Sequence, residues 1–76
     1  MTTYIKQERF DEFKARAFEY GYKRFANEWC KTFARCEIYV KADGEMVAVI
    51  DKKIVRDIPY DYISKLVWDG FIKKVD

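Results

Sequence analysis

The chain has 76 residues and a formal net charge of +2, which is enough for one domain and less basic than is usual for a dedicated nucleic-acid-binding domain. It has no histidine and only two cysteines, whereas disulfide-stapled secreted scaffolds of this size carry more. No apolar segment approaches the roughly 20 residues of a membrane span, so we expect one soluble, cytoplasmic domain over residues 1–76 with reduced thiols.

The first predicted elements are two helices within residues 7–35. This segment is rich in Ala, Glu, Lys, Arg and Phe and contains no proline, which favours helix. The apolar stripe changes direction at Gly21, the weakest helix former in the segment. One straight helix of that length would measure roughly 43 Å, more than the diameter expected of a globule of this size. We therefore predict a break at Gly21, with one long bent helix as the alternative.

A β-hairpin is predicted next, because the apolar residues now alternate. Asp43-Gly44 is a typical two-residue hairpin turn, so residues 37–42 and 45–50 should pair with Val40 opposite Val47. The first face of this hairpin then carries Ile38, Val40, Val47 and Val49. The second face carries Tyr39, Lys41, Met46, Ala48 and Ile50. Because this second face is also largely apolar, we expect another element or another molecule to cover part of it.

The remaining residues predict a third strand and a short helix. Residues 54–58 alternate as a strand, and Pro59 is typical of the first turn of a helix, here residues 60–69. Gly70 is a natural helix-ending residue, and Phe71 can make the closing apolar contact of a Schellman motif. The tail after Phe71 forms a short edge strand or frays.

The predicted fold is therefore α+β in the order α-α-β-β-β-α, with two helices packed on a three-stranded antiparallel meander. The order α-β-β-β-α resembles that of the double-stranded-RNA-binding domain. That family has a basic Lys-Lys-x-x-Ala-Lys run at the start of its last helix. Residues 59–64 of this chain are Pro-Tyr-Asp-Tyr-Ile-Ser, so the resemblance implies no binding residues here. The order also resembles that of small phage proteins that block bacterial defence systems.

The sequence predicts no catalytic residue, metal site or cofactor. Without histidine, the usual proton shuttle and the usual base for a cysteine nucleophile are missing. Cys30 and Cys36 cannot supply the three or four ligands of a zinc site. No glycine-rich phosphate loop occurs, and the aspartates are too scattered for a calcium site. We therefore expect a protein that is not an enzyme.

The aromatic content of 18% exceeds what so small a core needs, so some rings should lie at the surface. We expect Phe10, Phe13, Phe25, Trp29 and Phe33 to be buried. Tyrosine, tryptophan and methionine are typical of protein interfaces, and Tyr39 with Met46 is the patch most favoured here. The candidate protein-interaction residues are Tyr39, Met46, Tyr22, Tyr60, Tyr62 and Trp68, with Tyr4 also flanking the apolar positions.

A basic stripe gives the alternative of nucleic-acid binding. Its candidate residues are Arg24, Lys31, Arg35, Lys52, Lys53 and Arg56. On a helix, Glu28 would lie within one turn of both Arg24 and Lys31, which would dilute the positive field.

We expect a non-enzymatic protein-binding module, of the kind that phages and mobile elements encode to inhibit a larger host protein or complex or to act as an adaptor. A stoichiometric blocker needs a stable scaffold and a few strongly binding residues, and no catalytic group. The alternatives are a nucleic-acid-binding regulator and a self-associating accessory protein that forms a homodimer.

Overall fold

The computed structural model describes all 76 residues and forms a seven-stranded antiparallel sheet. The strands are β1 (Thr2–Ile5), β2 (Lys23–Phe25), β3 (Glu28–Phe33), β4 (Cys36–Val40), β5 (Glu45–Ile50), β6 (Lys53–Val55) and β7 (Ile72–Val75). The helices are α1 (Phe10–Arg16), flanked by the 3₁₀ turns Gln7–Arg9 and Ala17–Tyr20, and the short α2 (Ser64–Trp68), preceded by the 3₁₀ turn Tyr60–Tyr62. The α+β class is thus confirmed.

The prediction of two N-terminal helices is wrong, because the helical segment ends at Gly21. The amide of Gly21 donates to the carbonyl of Phe18 and the amide of Tyr22 donates to that of Ala17, both at 3.0 Å. These two bonds and the positive φ of Gly21 (87°) are a Schellman motif, which stops the helix instead of bending it. The chain then enters a hairpin.

Strands β2 and β3 form that hairpin, in the segment where the sequence predicted the second helix. Ala26 and Asn27 make its two-residue turn, with Phe25 opposite Glu28. Trp29 and Phe33 face the core, whereas the side chain of Phe25 is 65% exposed, contrary to expectation. A spacing of four residues, as between Trp29 and Phe33, places two side chains on one face of a helix and also on one face of a strand. The aromatic spacing alone therefore does not distinguish the two structures.

The three-stranded meander is also an incomplete prediction, because the hairpin β4–β5 is the centre of a larger sheet. The order is β2-β3-β4-β5-β1-β7, and β6 also pairs with β5. Both β1 and β6 therefore lie along the same side of β5, one after the other. The N-terminal strand β1 had no counterpart in the prediction, and with seven strands the likeness to the double-stranded-RNA-binding order does not hold.

The register of β4 and β5 differs by one residue from the predicted one. Val40 lies opposite Met46, and not opposite Val47. The cause is a longer loop, in which the amide of Gly44 donates to the carbonyl of Lys41 (2.9 Å) and Gly44 has a φ of 92°. Because side chains alternate along a strand, a one-residue shift moves Met46 and its neighbours to the opposite face.

The inner face of the sheet packs against α1 and α2 to form the core. Phe13 of α1 contacts the rings of Tyr22, Trp29 and Phe71 edge-on, with centroids 5.5–6.3 Å apart. The sixteen residues of the core are Ile5, Phe10, Phe13, Ala17, Tyr20, Tyr22, Trp29, Cys36, Ile38, Val40, Met46, Ala48, Ile58, Ile63, Leu66 and Phe71.

The C-terminal part matches the prediction in its order of elements, although β6 ends at Val55 and the predicted helix 60–69 is a 3₁₀ turn followed by the shorter α2. The amide of Gly70 donates to Val67 and that of Phe71 donates to Leu66, which is the predicted Schellman motif. The tail is the edge strand β7, paired with β1. Neither helix has the length and apolar character needed to cross a bilayer.

Candidate interaction surfaces

The outer face of the sheet, opposite the helices, is not covered by any element of the chain. Residues opposite each other on neighbouring strands project to the same side, so the register defines this face. Cys30, Tyr39 and Val47 form one row across β3, β4 and β5. A second row consists of Thr32, Glu37, Val49 and Ile54. We call these seven residues the outer face.

The centre of the outer face is apolar and its surroundings are charged. Val47, Val49 and Tyr39 are half-buried by their neighbours, and Ile54 is 67% exposed. Glu45 lies beside this centre and makes ion pairs with Lys41 (3.5 Å) and Arg56 (3.8 Å). An apolar centre with a polar rim is the usual anatomy of a protein interface.

Tyr39 lies in the middle of the outer face. Its hydroxyl donates to the Glu37 carboxylate at 2.6 Å. This hydrogen bond, with a smaller contribution from burial, raises the pKa of Tyr39 to about 12. The tyrosine is therefore neutral at physiological pH and presents a ring whose hydroxyl is already directed along the sheet.

Two of the six predicted protein-interaction residues do not reach the surface. Met46 is completely buried on the inner face, so the predicted patch of Tyr39 with Met46 is wrong because of the one-residue register shift. Tyr22 is buried with its ring against that of Phe13, and burial raises its pKa. Both residues contribute to the core.

The other three tyrosine and tryptophan candidates lie near α2, away from the outer face. Trp68 and Tyr60 are exposed, with 86% and 52% of their surface accessible. Tyr62 is half-buried with its ring 6.1 Å from that of Phe33, beside a small cleft that Tyr22 also lines. The structure therefore separates these three side chains from Tyr39.

The six predicted nucleic-acid residues do not form one continuous stripe. Arg35 and Lys52 line one groove of about 520 Å³ at an end of the sheet, together with the acidic Glu37 and Asp51. Lys53 begins β6 directly after Lys52. The remaining three lie elsewhere: Arg56 pairs with Glu45, Lys31 lies over the rings of Tyr22 and Phe33 on the inner side, and Arg24 is on β2.

The predicted pairing of Glu28 with Arg24 and Lys31 is wrong, because it assumed a helix. In the hairpin, Glu28 lies opposite Phe25, and no ion pair within 4.0 Å joins it to either basic residue. Arg24 instead donates from its Nε atom to the carbonyl of Ala26 at 2.9 Å.

A groove that no sequence pattern predicts lies between the helical segment and the hairpin β2–β3. Its volume is about 620 Å³, and Lys14, Lys23 and Arg24 line it together with Phe18 at the rim. Tyr22 and Trp29 form part of its wall, and Ala17, Asn27 and Ala42 complete it. We call it the basic groove. In the sequence, Phe18 does not belong to the apolar stripe of the helical segment. An aromatic residue outside that stripe is the one sequence feature that indicates a surface site here.

The two cysteines are free thiols on different faces of the sheet. Cys36 is buried on the inner face, and burial raises its pKa. Cys30 is half-buried on the outer face, with its Sγ atom 3.9 Å from the Thr32 hydroxyl. No group of three or more Cys, Asp and Glu side chains is arranged to hold a metal ion.

Comparison with known proteins finds no match among family models, curated proteins or solved structures.

Proposed function

We propose that this protein is a non-enzymatic binding module that acts as an inhibitor or adaptor by docking the outer face of its sheet onto a larger protein. One observation carries the proposal. The helices cover the inner face only, while the apolar centre of the outer face, around Tyr39, Val47 and Val49, lies open.

The energetics of such a contact are favourable. Complete burial of an exposed valine yields about 1.5–3 kcal/mol, and the half-buried Val47 and Val49 would each gain about half of that. A hydrogen-bonded sheet loses little conformational freedom on binding, so more of that free energy remains as affinity. The ion pairs of Glu45 with Lys41 and Arg56 lie at the rim, where they favour orientation and specificity over affinity.

The proposal predicts that substitutions on the outer face abolish partner binding. The tagged protein is used to capture partners from a lysate of the cell in which it acts, alongside the double variant Tyr39→Ala, Val47→Lys. We expect the wild type to retain one partner stoichiometrically and the double variant to lose it, with affinity reduced at least about tenfold, since each tenfold corresponds to 1.4 kcal/mol.

The matched control is Ala15→Lys, which adds a positive charge at an exposed position of α1. This variant should bind like the wild type. Circular dichroism melting verifies that all variants are folded. Recovery of the same partner by the double variant would contradict the assignment of the outer face. A captured protein that proves to be a second copy of this chain, with a matching dimer in sizing chromatography, would favour self-association instead.

A further inference from the structure

The basic groove differs from the outer face in both charge and location, and we propose that it binds a segment of single-stranded nucleic acid. Lys14 and Arg24 contact the phosphates, and the exposed ring of Phe18 stacks on a base. Lys23, which lies opposite Cys30 in the register, adds positive charge at the edge of the sheet. The groove lies between the helical segment and β2–β3, so the proposal is independent of protein binding through the outer face.

The charges of the basic groove are complementary to a polyanion. None of its nine lining residues is acidic. Neither Lys23 nor Arg24 has a carboxylate within 4.0 Å, and only Lys14 is paired, with the fully exposed Asp11 at 3.0 Å. The Arg24 Nε atom is held by the carbonyl of Ala26, which leaves the two terminal nitrogens of the guanidinium for a phosphate.

The ring of Phe18 adds a surface on which a base can stack, which charged side chains alone do not provide. Phe18 is 85% exposed, although the adjacent helical residues Ala17 and Tyr20 are buried. Aromatic side chains beside a positively charged groove are the usual means of binding single strands, and each stacked base contributes about 1–3 kcal/mol. A volume of about 620 Å³ lies within the range of ligand-binding pockets.

The test measures the affinity of the protein for a fluorescent ten-residue oligothymidine by anisotropy at several salt concentrations. We expect Phe18→Ala to weaken binding by about tenfold, in line with the loss of one stacked base. We expect the double variant Lys14→Gln, Arg24→Gln to weaken binding by at least tenfold. Its salt slope should fall by about 0.7 for each phosphate that the variant no longer neutralises.

The matched control is the double variant Lys52→Gln, Lys53→Gln. It also removes two positive charges, but at the turn into β6 and not in the basic groove. Equal losses in the two double variants would overturn the groove assignment, because they would indicate a general effect of net charge. Unchanged binding by Phe18→Ala would overturn the stacking. Competition by poly-glutamate as effective as that by unlabelled oligothymidine would also overturn the proposal, in favour of an acidic protein segment. Phe18 is too exposed for its removal to unfold the chain, and melting curves verify this.

Discussion

At the scale of single residues, the most consequential polar group in the core is the hydroxyl of Thr3. It donates to the carbonyl of Arg56 (2.8 Å) and accepts from the amide of Ile58 (3.0 Å) and from the Nζ atom of Lys74 (2.9 Å). Lys74 also donates to the carbonyl of Ile58 and to the Asp57 carboxylate, both at 2.6 Å. This network joins β1, β7 and the segment after β6, and its polar atoms are all satisfied.

Lys74→Met should therefore destabilise the fold, because it leaves the buried carbonyl of Ile58 without one partner and removes one bond from Thr3. We expect a loss of about 1–2 kcal/mol in the free energy of unfolding, measured by urea denaturation at pH 7. Lys73→Met is the control, since Lys73 lies one position earlier in β7 and is exposed. Equal losses in the two variants would contradict the role of the network.

The ion pair between Lys74 and Asp57 predicts that the stability of the fold depends on pH. The hydrogen bond from Lys74 holds the pKa of Asp57 below its ordinary value of about 3.9. A carboxyl with a lowered folded-state pKa stabilises the protein above its unfolded-state pKa, and the contribution is lost as the pH falls. The difference in stability between wild type and Lys74→Met should consequently be smaller at pH 3 than at pH 7.

At the scale of elements, the hairpin turns require backbone conformations that their residues do not favour. In the turn between β5 and β6, Asp51 and Lys52 have φ angles of 50° and 68°. Positive φ at both central positions is the type I′ geometry, for which glycine is preferred at the second position. A lysine there carries a steric cost that glycine would not.

Lys52→Gly should accordingly stabilise the protein by about 1 kcal/mol, which corresponds to a rise of about 4–8 °C in the melting temperature. Lys53→Gly is the matched control. Lys53 lies in β6 opposite Ile50, where glycine weakens a strand, so this variant should melt at a lower temperature than the wild type. A decrease in melting temperature with Lys52→Gly would contradict the turn geometry.

These elements also explain how far the sequence predicts the fold. The sequence predicts Gly70 as a helix end because a short helix precedes it and the apolar Phe71 follows it. Gly21 makes the same motif, but the helix-favouring composition of the following residues concealed it. The turn at Ala26 has no glycine or proline signal, and the three-residue loop that ends with Gly44 is hard to distinguish from a two-residue turn.

For the candidate surfaces, the sequence predicts that some aromatic side chains lie at the surface, but it does not predict which ones. Tyr39 lies half-buried on the outer face, whereas Met46 moves to the core with the register. The basic groove combines α1, the 3₁₀ turn after it and β2, and such a juxtaposition depends on the β2–β3 hairpin. Sequence patterns that predict a helix in this segment cannot place Arg24 beside Phe18 and Lys14.

At the scale of the whole molecule, the strands at the two ends of the chain, β1 and β7, pair with each other at one edge of the sheet. β1 lies between β5 and β7, with Thr2 opposite Val75. The Thr3–Lys74 bond joins residues 71 positions apart in sequence. Pairing such distant segments costs loop-closure entropy, so we infer that these strands complete a structure already organised around the local hairpins β3–β4 and β4–β5.

A circular permutant tests this arrangement. Joining residue 76 to residue 1 through Asn-Gly converts β7 and β1 into a hairpin with a favoured two-residue turn, and new ends are opened between the exposed Ala26 and Asn27. We expect the permutant to keep the near-ultraviolet circular dichroism of the wild type and to melt cooperatively, because permutation is tolerated where chain ends are adjacent. A linear chain that ends at Phe71 lacks β7 and Lys74, so it should lose the cooperative transition. A permutant without a cooperative transition would contradict the pairing of β1 with β7.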